Sequence, residues 1–107
     1  MTKRMNLLAP VHPGTILRDD FLEPMGLKPA QLARILKVAA PTVNQIVRGR
    51  KSVTASMALR LEKALGSSAQ FWLNIQARYD LDVAKSEIQD SLKGIRRIHA
   101  SSHHAAA

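Results

Sequence analysis

The chain has 107 residues and a mass of 11.8 kDa, the length of a single domain with one hydrophobic core. Its 46% hydrophobic content excludes wholesale disorder; the lack of cysteine excludes a disulfide scaffold or thiolate cluster and fits a reducing cytosol. Sixteen basic against eight acidic residues leave a formal charge of +8, which calls for an acidic partner. No apolar run approaches the ~18 residues of a membrane span, and the stretch after Met1-Thr-Lys-Arg is too short for a signal peptide.

Scarce aromatics (4%) and helical spacing of the apolar residues predict an all-α domain punctuated by Pro and Gly. Residues 1–11 read as an arm. Pro13 suits the first turn of a helix that turns Ile16, Leu17, Phe21 and Leu22 inward, leaves Asp19 and Asp20 to water, and stops at Pro24 and Gly26. A second short helix runs from about Pro29 to Leu36 with Leu32, Ala33, Ile35 and Leu36 inward. After the turn Lys37-Val38-Ala39-Ala40, Pro41 opens a third that buries Val43, Ile46 and Val47 and ends at Gly49. Thr54 caps a fourth, with Ala58, Leu59, Leu61 and Leu65 buried and Gly66 as its stop. Ser68 caps a fifth, in which Phe71 and Ile75 are core and Trp72 is expected to seal the core against a second subunit. The helical pattern persists through 81–98, where Leu81, Ala84, Ile88, Leu92 and Ile95 form a stripe for dimerisation or docking of another protein; residues 99–107 read as a disordered tail.

The charge is concentrated. Residues 28–51 hold Lys28, Arg34, Lys37, Arg48, Arg50 and Lys51 and no acid, so +6 of the +8 lies there. Those same residues form two short helices joined by a turn, with Ala33 small enough for a helix crossing and Leu32, Leu36, Val38, Val43 and Ile46 apolar at the locking offsets: a helix-turn-helix centred on about 29–48. The third helix then enters the major groove. Its outward Thr42, Asn44, Gln45 and Arg48 are types that read base edges. Lys28, Gln31, Arg34, Lys37, Arg50 and Lys51 flank the groove to hold phosphates, which set register and affinity but not sequence.

Catalysis and metal binding find no support. The histidines His12, His99, His103 and His104 lack ligand spacing, so no metal or other cofactor is expected. Asp19 and Asp20, adjacent on a helix, point about 100° apart and read as a solvated face, not a catalytic pair. No nucleophile elbow or phosphate-cradling glycine loop is present.

The run His12-Pro13-Gly14-Thr15-Ile16-Leu17-Arg18 through Phe21-Leu22-Glu23-Pro24-Met25-Gly26-Leu27, with Ala58-Leu59-Arg60-Leu61, Leu65-Gly66 and Phe71-Trp72-Leu73-Asn74-Ile75-Gln76-Ala77-Arg78-Tyr79-Asp80-Leu81, resembles the HigA (VapI-type) antitoxins of the Xre/lambda-repressor superfamily. The likeness covers about residues 10–85. It implies a five-helix, non-enzymatic, cytoplasmic DNA-binding antitoxin that dimerises, represses its own operon at a palindromic operator and sequesters a HigB-like, RelE-type mRNA-cleaving toxin. The chain departs from the family pattern at Thr15 (commonly Glu), Lys28-Pro29 (Ser or Gln), Lys37 (Gly) and Ala40 (a Ser-type cap), so operator sequence does not carry over. Lys37 is expected to hold a backbone geometry that Gly adopts more cheaply. A stand-alone or phage-type repressor without a toxin and a protein-binding helical adaptor are the competing readings.

Overall fold

The computed structural model describes residues 9–99, all of them helix, turn or loop. The expectations for residues 1–8 of the arm, and for the tail from Ala100 onward with His103 and His104, lie outside the described residues. Pro13–Ile16 and Glu23–Met25 are α-helical and Leu17–Leu22 between them is π-helical; together they make one rod, α1. α2 is Pro29–Leu36, α3 is Ala40–Val47, α4 is Ala55–Leu65 and α5 is Ala69–Leu92. This is the five-helix domain expected.

Pro24 does not stop the first helix. A proline inside an α-helix lacks its N–H and crowds the carbonyl four residues back. Here the preceding turn is widened, with the Glu23 N–H bonding the Arg18 carbonyl, and α1 continues to Met25. Gly26, left-handed at φ 67°, ends it. At the third helix, Ala39 is the N-cap and Ala40 the first helical residue, one before Pro41; neither alanine offers a capping oxygen. Thr54 and Ser68 cap as expected, accepting from the Met57 and Phe71 N–H groups at 3.2 and 3.0 Å. α5 continues without a break into the 81–98 stretch and ends at Leu92, with one local distortion at Ile88 (φ −114°, ψ 18°) and Ile95 beyond its end. At about 1.5 Å per residue it is ~36 Å long.

The core collects Leu17 and Leu22 from α1, Leu32, Ala33 and Leu36 from α2, Val43, Ile46 and Val47 from α3, Met57, Ala58 and Leu61 from α4, with Val53 and Trp72. Two leucine-type assignments change. Ile35 is 55% and Leu59 58% exposed. Ala58, Leu61 and Leu65 set the inward stripe of α4, and its fourth member at helical spacing is Met57; Leu59 is about 100° off. Ile35 lies off the Leu32–Leu36 line for the same reason.

Trp72 also requires correction. It is fully buried within one chain, its indole N–H donates to Ser67 Oγ at 2.9 Å, and Phe21 and Phe71 stack around it at centroid distances of 5.3 and 5.0 Å. It has no surface left to offer a partner. Phe71, expected in the core, is the half-covered lid of this cluster at 38% exposure.

Candidate nucleic-acid interface

The crossing of α2 and α3 rests on Ala33, buried against α3, with Leu32, Leu36, Val43 and Ile46 buried and Val38 partly buried around it. All six positions assigned to the lock are used. The turn between the helices is a Schellman motif: the Val38 N–H bonds the Ala33 carbonyl at 3.0 Å and the Lys37 N–H the Arg34 carbonyl at 3.2 Å. Lys37 is left-handed (φ 61°, ψ 45°), the one non-glycine with positive φ among the described residues. The same motif closes α1 at Gly26 and α3 at Gly49. Lys37 therefore does a glycine's work in the turn, as expected. Its carbonyl neighbour is secured from α4, where Arg60 donates to the Leu36 carbonyl at 2.6 Å.

That arrangement separates two properties. A left-handed non-glycine costs about 1–2 kcal/mol, partly offset for glycine by its larger unfolded-state entropy. Lys37→Gly is expected to raise Tm by roughly 4–8 °C, the shift from about 1 kcal/mol in a domain of this size. The same change removes a cation, so the salt slope of DNA binding should fall by about one per protomer. Thermal unfolding and a salt titration read the two effects with opposite signs.

Val43, Ile46 and Val47 fix which side of α3 is buried. At about 100° per residue, the opposite side falls on Pro41, Gln45 and Arg48, with Thr42 and Asn44 on its two flanks. Gln45, Arg48 and Asn44 are exposed and Thr42 is half-buried. Pro41, Thr42 and Gln45 share an open groove with Arg50 and Lys51, which the Gly49 turn brings back alongside the helix. Lys28, Arg34, Lys37, Arg48, Arg50 and Lys51 are all exposed, and none makes an ion pair among the described residues. Gln31 has a local task as well: its Oε1 accepts the Lys28 N–H at 2.8 Å at the start of α2, leaving its amide donors facing outward.

Polar groups behind this face hold it in place. His12 caps α1, its Nδ1 accepting the Gly14 N–H at 2.8 Å; its ring meets Tyr79 of α5 edge-on at 4.9 Å and lies beside the Lys51 backbone. Gln76, buried on α5, accepts the Val53 N–H at 2.7 Å through Oε1 and donates to Asp80 at 3.0 Å. The residue 48–54 segment is thus packed on by His12 at Gly49 and hydrogen-bonded by Gln76 at Val53. Sequence reasoning gave Gln76 no structural task; its signal was a polar side chain on the Ala69, Trp72, Leu73, Gln76 stripe. Arg60 carries no such signal, because its partner is 24 residues away.

The geometry defines a class first: a helix-turn-helix domain with an acid-free, basic outer face. The helix-turn-helix family matches residues 20–72. Antitoxin HigA-1 of Vibrio cholerae is 36% identical over 97 residues, covering 91% of both chains, and virulence-associated protein I of Dichelobacter nodosus is 45% identical over 84 residues, 78% of both. The solved structure of Pseudomonas aeruginosa antitoxin HigA with the higBA promoter is 48% identical, with a TM-score of 0.79 over 81% of this chain and 96% of that one. The chain belongs to the HigA family of helix-turn-helix antitoxins, which are DNA-binding regulators and not enzymes. No helix among the described residues is long and apolar enough to cross a membrane.

Proposed function

We propose that this chain is the antitoxin and autorepressor of a type II toxin–antitoxin pair, acting in the cytoplasm as a homodimer. One observation carries the DNA half: α3 presents Gln45 and Arg48 at the crest of a face whose six cations are exposed and unopposed. The solved P. aeruginosa relative is held on its promoter, which supports the same use of this face. Thr42, Asn44, Gln45 and Arg48 read bases; Lys28, Gln31, Arg34, Lys37, Arg50 and Lys51 hold phosphates. Two recognition helices about 34 Å apart would enter successive major grooves of a palindromic site.

The protein half rests on α5. Leu81, Ile88 and Leu92 are exposed and recur at helical spacing, with Ala84 half-buried between them and Ile95 just beyond the helix. A monomer rarely leaves such a row in water. This face serves dimerisation or docking of a HigB-like, mRNA-cleaving toxin, which is neutralised by burial of its active surface.

The test is the salt dependence of binding to a duplex spanning the DNA upstream of the chain's own reading frame. A dimer that neutralises about eight phosphates gives a slope of log K against log salt near −7. A slope near zero would remove the DNA reading. Co-expression with the neighbouring reading frame separates antitoxin from plain repressor: a co-purifying basic toxin supports the first, and its absence the second.

A further inference from the structure

The turn His12-Pro13-Gly14 is placed where no DNA contact is expected, yet it packs against the recognition helix and the segment that follows it. Gly14 backs directly onto the Ile46 carbonyl of α3, so closely that an added Cβ would lie 1.7 Å from that oxygen. His12 packs on Gly49, with a Cβ there 3.8 Å from the imidazole, at the end of the recognition helix. The same ring lies beside the Lys51 backbone and rests on Tyr79. One side chain thus joins the start of α1, the end of α3, the segment bearing Arg50 and Lys51, and α5.

We propose that His12 is a positioning residue for operator binding, and that it makes this binding proton-sensitive. The inference rests on the DNA-binding reading above. Its chemical basis is the acceptor role of Nδ1. That nitrogen accepts the Gly14 N–H, so it carries no proton, and the neutral ring holds its proton on Nε2. Protonating Nδ1 sets two donors against each other inside a buried turn.

The groups facing the ring are the Gly14 N–H from α1, the Lys51 backbone from the 48–54 segment, and Tyr79 and Asp80 from α5. Burial pushes the imidazole below its ordinary value; the negative charge of Asp80, held by Gln76, and the Lys51 backbone oppose that without cancelling it. The sign follows. The docked arrangement is complete above the ordinary histidine value of about 6.5 and is lost as pH falls through the lowered one. Loss releases Lys51 and the end of α3 together. DNA binding by a basic face otherwise strengthens on acidification, as protons add positive charge, so the expected trend here is reversed.

The experiment is fluorescence anisotropy of the full chain on a labelled duplex spanning the DNA upstream of its own reading frame. Salt is held constant from about pH 7.5 to about pH 5.5, with circular dichroism confirming that the fold persists. If acid reduces the docked fraction to about a third to a tenth, Kd weakens roughly threefold to tenfold. His12→Asn keeps a capping oxygen for Gly14 but does not titrate; it should bind with a flat or acid-strengthened profile. Wild-type affinity that is constant or rises with acid overturns the proposal, even if His12→Asn fails to fold. Coincident falling profiles for wild type and His12→Asn overturn it as well. No binding at the higher pH overturns the DNA reading itself, a distinct outcome.

Discussion

Replacing Gly14 by Ala is expected to destabilise the domain by at least about 3 kcal/mol, lowering Tm by roughly 12–24 °C in calorimetry or thermal circular dichroism. Helix propensity argues the opposite, since Ala is favoured over Gly in a helix by about 1 kcal/mol. Packing decides. The new Cβ would sit 1.7 Å from the Ile46 carbonyl oxygen, 2.7 Å from its carbon and 3.0 Å from the Val47 Cα, all backbone atoms that no rotamer can move. Relief requires α1 and α3 to separate along the seam that sets the recognition helix, so DNA binding should fall with stability. Gly26→Ala is the control. Gly26 is left-handed, but nothing lies within 4 Å of its missing Cβ, so only the conformational cost of about 1–2 kcal/mol applies. A Gly14→Ala protein as stable as wild type would mean that α1 and α3 are not in backbone contact.

The contrast between these two glycines shows what could be read from the chain before its fold. Gly26, Gly49 and Gly66 end helices in the left-handed region, a local requirement that sequence announces. Gly14 has an ordinary helical backbone, and its reason is a residue 32 positions away. Local chemistry was legible in the same way at Thr54 and Ser68, whose caps form, and at Lys37, whose forced geometry follows from its place in a helix-turn-helix turn. The six locking positions were legible because they lie on two adjacent short helices whose crossing needs one small residue.

What escaped reading was mostly long-range. Ile35 and Leu59 are as apolar as their neighbours, and hydrophobicity alone does not say which of two adjacent leucine-like residues faces inward. The size of Trp72 points to an interface, but Phe21, Phe71 and the Ser67 hydroxyl consume it within the protomer. Pro24 signals a stop only where an α-helical turn precedes it, whereas the Leu17–Leu22 turn is wider. The candidate DNA face was the most legible feature of all, since it needed only charge and helical phase. The clamps that hold it, Gln76 to Val53 and Arg60 to Leu36, join positions 23 and 24 residues apart.

The double replacement Gln45→Ala and Arg48→Ala tests whether the crest of α3 reads sequence. Each well-formed bidentate side chain–base pair is worth about 1–3 kcal/mol of discrimination, so the pair together should weaken specific operator binding by about 2–6 kcal/mol, roughly 30- to 20,000-fold. Both side chains are exposed, so Tm should move little. Binding to unrelated duplex DNA should fall only by what loss of the Arg48 charge removes. Arg50→Ala with Lys51→Ala should do the reverse: weaken binding to all sequences alike and make the salt slope shallower, with the preference for the operator retained. Anisotropy on operator and scrambled duplexes at several salt concentrations resolves the two patterns. Equal losses for both double variants on both duplexes would show that α3 supplies charge alone, and an unchanged operator affinity for Gln45→Ala with Arg48→Ala would show that the operator is read by side chains other than these two. Neither replacement touches the exposed row on α5, so if that row docks the proposed toxin, growth in a co-expression assay is rescued by both variants as by wild type.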